Sequence, residues 1–197
     1  MLCVVLKFNF LLKEIEEKNM NTTWIVVDIE ADGQVPGLFS MICFGAVPIV
    51  DGVIGKSFYG TLRPISDNWD AESLSISGFT REECLQFEDP NETMIEFNNW
   101  VKSFKVDGKK VKFLSDNNGF DWSFINYYFH RFVGENPFGH SSRRIGDIYA
   151  GFVRDLDAKY DSLIKTKHTH NPVDDAMGEA EAFVAILKMI KTADNSV

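Results

Sequence analysis

Two carboxylates, Asp28 and Glu30, stand two residues apart at the end of an apolar run over residues 24–29. A β-strand turns residues i and i+2 to the same face, so both side chains leave the strand side by side. Carboxylates this close repel each other, and no basic residue of the segment offsets the repulsion. A divalent cation would relieve it, and hard oxygen ligands suit Mg²⁺ or Mn²⁺. A solvated strand end is the simpler explanation of the pair by itself, so a metal site requires further acids from elsewhere in the chain.

Two later segments supply candidate partners for this pair. Asp121 stands in the first turn of a predicted helix that follows a strand, where the helix dipole favours an acid in any case. His170 precedes Asn171 and Pro172, a pair typical of an N-cap and a first helical residue. Asp175 is therefore expected about one turn inside the last helix, with the imidazole on the loop just before it. Each segment alone is compatible with an ordinary helix start, whereas the three segments together predict a site.

The three segments also carry a family resemblance. They resemble, in order, the three exonuclease motifs of the DEDDh superfamily, which includes the proofreading subunit of bacterial DNA polymerase III, ribonuclease T and oligoribonuclease. The resemblance covers residues 24 to about 190, and residues 77–83, 115–122 and 143–147 look closest to a small bacterial and phage group of 3′→5′ exoribonucleases. The matching stretches are Val27-Asp28-Ile29-Glu30, Asn117-x-x-Phe120-Asp121 and His170-x-x-x-x-Asp175-Ala176.

The resemblance implies a metal-dependent 3′→5′ exonuclease that removes nucleoside monophosphates from single-stranded 3′ ends, with RNA favoured. It implies a two-metal mechanism with two Mg²⁺ or Mn²⁺ ions per active site. The implied metal ligands are Asp28, Glu30, Asp121 and Asp175. His170 is the implied general base, since an imidazole with an ordinary pKa near 6.5 accepts a proton at neutral pH.

Three other interpretations stay open at this point. The chain could be a single-stranded DNA 3′→5′ exonuclease, a nucleotide hydrolase of the same fold, or a catalytically weak nucleic-acid-binding module. The complete set of four acids and one histidine speaks against the binding module. Related small exonucleases are often homodimers, so a homodimer is compatible with the resemblance.

Two positions depart from the pattern of the family. Asp116 stands where many relatives have histidine, which adds an acid near the site. Asp174 directly precedes Asp175, so the register of the last motif is open, because a four-residue spacing marks the tyrosine-type relatives. A histidine at position 170 favours Asp175 as the ligand.

Three apolar side chains are candidates for contacts to the substrate. Phe39, Met41 and Phe79 could stack on the last bases or wedge between them, as aromatic residues do in proteins that bind single strands. Core packing is the alternative for each of them.

The elements that must position these residues begin with three strands. Residues 24–29, 39–50 and 53–62 are rich in β-branched and aromatic residues, and Asp51-Gly52 is a turn signal between the last two. Three successive strands with a tight turn predict an antiparallel meander.

Helices and further strands follow the meander. Capping-box spacing occurs at Thr80 with Glu83 and at Asp89 with Glu92. The fold class is therefore predicted as α/β, a ribonuclease H-like mixed five-stranded sheet, with parallel strands added to the meander and helices flanking it. The further predicted elements are helices over residues 89–104, 120–132, 149–156 and 171–190 and strands over residues 111–115 and 144–147.

The composition limits how nucleic acid is held. The net charge is −9, which argues against a broad basic surface, because affinity for nucleic acid comes mainly from Lys and Arg that neutralise phosphates. A short footprint on the substrate is therefore expected. Cys3, Cys43 and Cys84 show neither disulfide nor zinc spacing, so a reducing cytoplasm is the simplest setting.

The first 19 residues are predicted to be an extension outside the exonuclease domain of residues 20–197. Their apolar run is interrupted by Lys7 and is too short to cross a bilayer, and Met20 precedes the first clear strand. We expect Met20 to be the natural start. An authentic N-terminal element that packs on the domain is the alternative.

Overall fold

The computed structural model describes residues 22–106 and 108–194. The predicted N-terminal extension, residues 1–19, lies outside them. Within the described residues, six strands form one mixed sheet in the order β3-β2-β1-β5-β6, and β4 also pairs with β2. β1 pairs antiparallel with β2 and parallel with β5, so the predicted mixture of an antiparallel meander and parallel strands is confirmed. The strands are β1 (Thr22–Ala31), β2 (Met41–Val50), β3 (Val53–Ile54), β4 (Phe58–Thr61), β5 (Lys110–Ser115) and β6 (Ser142–Arg144).

The predicted third strand, residues 53–62, is split in two, which is why the described sheet has six strands and not five. β3 pairs with Ile49 and Val50, whereas β4 pairs with the stretch from Cys43 to Ala46, one residue out of register with β3. The break lies opposite Pro48, which has no N–H to donate to a neighbouring strand. The carbonyl of Pro48 still accepts the N–H of Gly55, at 2.8 Å, across the irregular segment.

The helices begin where capping residues predict. Thr80 and Glu83 form the predicted capping box, but Asp89 caps through the N–H of Asn91 instead of forming a box with Glu92. The last helix is capped by Asn171, whose side chain accepts the N–H of Val173 at 3.0 Å. The α-helices are α1 (Ala71–Ile76), α2 (Arg81–Cys84), α3 (Pro90–Lys102), α4 (Asn118–Tyr128), α5 (Ile145–Val153) and α6 (Pro172–Asp194).

Two predicted segments differ from the structure in their boundaries. The helix predicted over residues 120–132 is α4 followed by one π-helical turn, Phe129–Val133. The strand expected at residues 144–147 ends at Arg144, and α5 starts at once at Ile145. In this segment the helix follows the strand with no residue between them, so no turn residues mark the junction.

β1 is buried on both faces, and the alternation of its side chains decides which face receives the acids. Ile25, Val27 and Ile29 belong to an aromatic-rich core with α3 and α4, in which Phe44, Phe97 and Phe113 are fully buried. Val26 belongs to the opposite core, with α6. By the two-residue period of a strand, Asp28 and Glu30 share the face of Val26, towards α6. None of the helices in the described ranges is long and apolar enough to cross a membrane.

Candidate active site

Three carboxylates from two elements meet at the end of β1. Oxygen atoms of Asp28, Glu30 and Asp175 all lie within 4.8 Å of one another. Gly45 makes this approach possible, because it pairs with Asp28 across the β1–β2 ladder and lies directly under the start of α6. A Cβ atom at position 45 would stand 2.3 Å from the carbonyl oxygen of Pro172 and 2.5 Å from the nitrogen of Val173. The start of α6 can therefore rest on β2 beside the two acids only because position 45 has no side chain.

Asp121 adds a fourth carboxylate from the first turn of α4. Its side chain is 1% exposed, and no described residue gives either carboxylate oxygen a hydrogen bond in acceptable geometry. Buried carboxylates without donors are rare, since desolvation of an unpaired polar group costs free energy. The negative charge of Asp121 is also the strongest charge influence on Asp28.

A fifth acid, Glu179, was missed by the sequence analysis. It is 9% exposed, lines the same cleft, and accepts the backbone N–H of Asp116 at 3.2 Å. The signal that could have found it is its spacing, because residues four apart on a helix share one side and Glu179 follows Asp175 by four. The loop from β5 to α4 is thereby tied to α6.

The raised pKa values of this cluster indicate that the ionised forms of its acids are destabilised by burial and by one another. Burial, reinforced by Asp175, raises the pKa of Glu30 to about 7. Burial raises the pKa of Asp121 to about 8, although the nearby Ser115 hydroxyl and Ile29 N–H lower it in part. Burial and the neighbouring acids also hold the pKa values of Asp28 and Glu179 well above their ordinary range. Such a site binds a cation readily, because each bound positive charge removes a repulsion that burial has amplified.

The donor set fits divalent metal ions. All candidate ligands are carboxylate oxygens, which suit Mg²⁺ and Mn²⁺. Oδ2 of Asp175, like both oxygens of Asp121, is buried and lacks a hydrogen-bond donor among the described residues. Nδ1 of His168 lies 3.0 Å from Oδ2 of Asp175, but outside hydrogen-bonding geometry. The oxygens without donors are the atoms that a bound metal ion would contact.

The two adjacent acids at the start of α6 have different surroundings. Asp175 is 5% exposed and joins the cluster, and its Oδ1 accepts the N–H of Thr169 at 2.9 Å. Asp174 instead accepts the hydroxyl of Thr169, at 3.0 Å, on the more exposed side. The geometry therefore brings Asp175, the residue favoured by the spacing from His170, to the other carboxylates.

Two histidines stand over the acids on the loop before α6. Nδ1 of His170 lies 3.9 Å from Oε1 of Glu30, and its side chain is 52% exposed. His168 was not among the predicted catalytic residues, yet its ring lies 4.4 Å from that of His170 and its Nδ1 lies closer to a carboxylate. His170 has a φ of 60°, in the left-handed region that few non-glycine residues adopt. Both imidazoles line the cleft.

Asp116, the extra acid, lies at the edge of the cleft and has partners of its own. Nη2 of Arg144 lies 3.9 Å from its carboxylate, and Nε of Arg144 donates to its carbonyl oxygen at 3.0 Å. Tyr160 is buried against it, and burial together with Glu179 and Asp116 raises the pKa of the Tyr160 hydroxyl. The cleft has a volume of about 440 Å³.

The three predicted substrate contacts fall in different places. Met41 is fully buried in the aromatic core, and its N–H donates to the hydroxyl of Tyr128 at 2.8 Å. Its side chain is buried in this core and does not line the cleft, which agrees with the alternative of core packing. Phe79 contacts the edge of Phe87, at 4.9 Å between ring centres, in a small cluster under α1 and is not part of the cleft wall. Phe39 is half-buried and lines an adjoining pocket that shares Ile76 with the cleft.

Comparisons with known proteins agree with this geometry. The model of the RNase_T exonuclease family matches residues 25–183. The chain is 32% identical over 174 residues to the 3'-5' DNA exonuclease Cap18 of Escherichia coli, which covers 84% of this chain and 92% of that protein. It is 25% identical over 175 residues to a PolC-type DNA polymerase III of Thermotoga petrophila, 87% of this chain but only 12% of the polymerase.

Solved structures show the same fold at low sequence identity. The nuclease domain of 3'hExo, a DEDDh family member bound to rAMP, superposes with a TM-score of 0.69 at 18% identity, over 85% of this chain and 92% of that one. Exonuclease I of E. coli in complex with single-stranded DNA superposes with a TM-score of 0.62 at 19% identity, over 87% of this chain and 41% of that one.

Proposed function

The chain belongs to the RNase_T exonuclease family and is a 3′→5′ exonuclease of the DEDDh type, and from this premise we propose that it removes nucleoside monophosphates one at a time from single-stranded 3′ ends with the help of divalent metal ions. The observation that carries the proposal is the convergence of Asp28, Glu30, Asp121 and Asp175 from β1, α4 and α6, with buried oxygens that have no hydrogen-bond donor among the described residues. The exonuclease domain extends over residues 20–197 in this proposal.

The four carboxylates would hold two divalent ions, Mg²⁺ or Mn²⁺. Asp28, Glu30 and Asp175 form one group of oxygens, and Asp121 on α4 is the acid whose charge acts most strongly on Asp28. Bound ions in such sites supply a water of lowered pKa and neutralise the charge that develops on phosphate. Asp175 is itself held by the N–H of Thr169, so its carboxylate reaches the cluster in one fixed orientation.

His170 acts as the general base. It stands on the loop just before α6, half exposed and 3.9 Å from Glu30, where it can take a proton from a water in the cleft and release it to solvent. His168 is the second candidate, because its Nδ1 lies 3.0 Å from Asp175. We assign His168 to orienting Asp175 and the neighbouring imidazole, since its ring contacts that of His170 edge to face.

The substrate enters as a single strand. The cleft of about 440 Å³ accommodates one or two nucleotides, and Phe39 in the adjoining pocket is placed to contact a base. The resemblance of several short stretches to exoribonucleases favours RNA. A relative that is 32% identical over 92% of its length is described as a DNA exonuclease, which gives single-stranded DNA the stronger support.

A digestion assay tests the proposal. Matched single-stranded RNA and DNA oligonucleotides labelled at the 5′ end should shorten in one-nucleotide steps with Mg²⁺ or Mn²⁺ and stay intact in EDTA. Faster digestion of the RNA would assign the chain to the exoribonucleases instead. Release of internal fragments, or equal rates in EDTA, would contradict the proposed reaction.

A further inference from the structure

A second cavity, with a volume of about 460 Å³, lies at the opposite end of β5 from the active-site cleft. We call it the basic pocket, because its described lining contains five basic residues and no acidic one, in a chain whose net charge is −9. The charged residues of its wall are Lys105, Lys109, Lys110, Lys112 and Arg143.

Most of this positive charge has no ion-pair partner among the described residues. Lys109 pairs with Asp51 at 2.8 Å. Lys110, Lys112 and Arg143 have no carboxylate within 4.0 Å among residues 22–106 and 108–194. The sequence adds one acid to this loop, Asp107, which lies outside the described residues. The three unpaired cations therefore form a local positive surface on an acidic protein.

One of these cations, Lys112, is partly buried and lies near two others. Burial, then the charges of Arg143 and Lys110, lower the pKa of Lys112 below its ordinary value. Nζ of Lys112 lies 5.2 Å from the centre of the Trp24 ring, a cation–π contact that keeps the amine in place. Like charges held together at a free-energy cost generate the concentrated field that attracts an anion.

The basic pocket is connected to the cleft by the edge strand of the sheet. β6 pairs parallel with β5, so Arg143 stands beside Leu114 and Arg144 beside Ser115. Arg144 already contacts Asp116 at the rim of the cleft. At about 3.3 Å per residue along a strand, the level of Lys110 lies roughly 16 Å behind that of Ser115. A stacked strand with a rise of about 3.4 Å per nucleotide would cover this distance in about five nucleotides.

We propose that the basic pocket binds the phosphodiester backbone of the substrate strand a few nucleotides on the 5′ side of the bond that is cut. The inference rests on the proposed exonuclease function, because the polyanion that this protein must hold is then a nucleic acid. The composition predicted that the protein contacts only a few nucleotides of the substrate. Binding in the basic pocket would lengthen this contact, with the strand lying along β6 between the cleft and the pocket. A substrate too short to reach the pocket gains nothing from it.

The test compares a triple variant, Lys110→Gln with Lys112→Gln and Arg143→Gln, with a control that removes the same charge elsewhere. The control replaces three exposed lysines without ion-pair partners in the described chain, Lys56, Lys188 and Lys191, by glutamine. Binding of a labelled single-stranded 12-mer is measured in EDTA, by anisotropy, over a range of salt concentrations. Hydrolysis of a 3-mer and of the 12-mer is measured separately with Mn²⁺.

The triple variant should lower the slope of log affinity against log salt by about 2, since each of three lost contacts to a single strand contributes about 0.7. The KM of the triple variant for the 12-mer should rise by on the order of tenfold, whereas its kinetic constants for the 3-mer should match those of the parent. The control variant should match the parent on both substrates. Equal changes in the salt slope and KM of the triple variant and the control would show that net charge alone explains the effect, and would contradict the proposed binding of the strand in the basic pocket. Unchanged 12-mer binding would overturn it too. Absence of hydrolysis by the parent enzyme would count against the proposed function, while the binding measurement in EDTA would still decide the pocket.

Discussion

Gly45→Ala tests whether the active site depends on the close approach of α6 to the sheet. A methyl group at position 45 would stand 2.3 Å from the carbonyl oxygen of Pro172, about 1 Å nearer than ordinary contact. The atoms that the methyl group would meet belong to the backbone of Pro172 and Val173, which cannot rotate away as a side chain can. The start of α6 must therefore shift by about 1 Å and carry Asp175 away from Asp28. Misplacement by about 1 Å can cost about 10²-fold in rate, and overpacking of a filled core typically costs about 1–3 kcal/mol.

The assay measures turnover of a labelled single strand, urea denaturation, and protection of the fold by Mn²⁺. We expect kcat to fall by about 10²-fold, stability to fall by about 1–3 kcal/mol, and Mn²⁺ to stabilise the variant less than the parent. Gly151→Ala is the matched control, because Gly151 lies inside α5 with nothing within 4 Å of the added carbon. That change should raise stability by roughly 0.5–1 kcal/mol and leave turnover unchanged. Parent-like turnover and Mn²⁺ protection in Gly45→Ala would show that the contact with Pro172 does not position the acids.

Three more predictions concern the cluster itself. Asp175→Ala should abolish turnover and leave the fold intact or more stable, whereas Asp174→Ala should keep most activity; the reverse result would move the register by one residue. His170→Ala should lower turnover by about 10²–10⁴-fold with little change in Mn²⁺ affinity measured by calorimetry, and loss of that affinity would make the imidazole a ligand. Because the folded pKa values of Glu30 and Asp121 are raised to about 7 and about 8 from ordinary values of 4.5 and 3.8, the folded state binds more protons than the unfolded state between these limits. Metal-free protein should therefore lose stability as pH rises from about 4 to about 8, and the gain in melting temperature from Mn²⁺ should be larger at pH 8 than at pH 6; a flat or rising profile would contradict the raised pKa values.

Glu179 adds a fifth carboxyl group, itself buried, to the same cluster. A carboxylate that is 9% exposed and close to Asp28 and Asp121 adds negative charge behind the ligands, and its single described hydrogen bond comes from the N–H of Asp116. The hydrogen bond ties the residue after β5 to α6. We therefore expect Glu179 to help position the loop from β5 to α4.

Local spacing placed the candidate residues, and the resemblance of their three segments to the DEDDh motifs supplied the expected chemistry. Asp28 and Glu30 share a face because a strand repeats every two residues, and Asp175 lies inside a helix because Asn171 and Pro172 start one. The capping box at Thr80 was predictable for the same reason. Each of these features depends only on residues a few positions apart, because the geometry of a strand or a helix fixes how such residues are arranged.

The tertiary structure decided which of these segments meet, and how closely. Pro48 splits the third strand only because β2 places it opposite residues 55–57, a matter of register between strands. Met41 faces the core and not the substrate because of its position on β2, and a sequence pattern that is apolar on both sides of the strand cannot distinguish the two faces.

The sequence gives the total charge of the protein, whereas the tertiary structure decides where that charge is concentrated. The net charge of −9 predicted the absence of a basic surface, yet the pairing of β5 with β6 brings Arg143 to the lysines at residues 105–112 and concentrates positive charge in one pocket. The contact between Gly45 and α6 likewise joins residues more than 120 positions apart. Composition sums charges over the whole chain, whereas electrostatic fields and ligand sites depend on distances that only the folded arrangement of strands and helices sets.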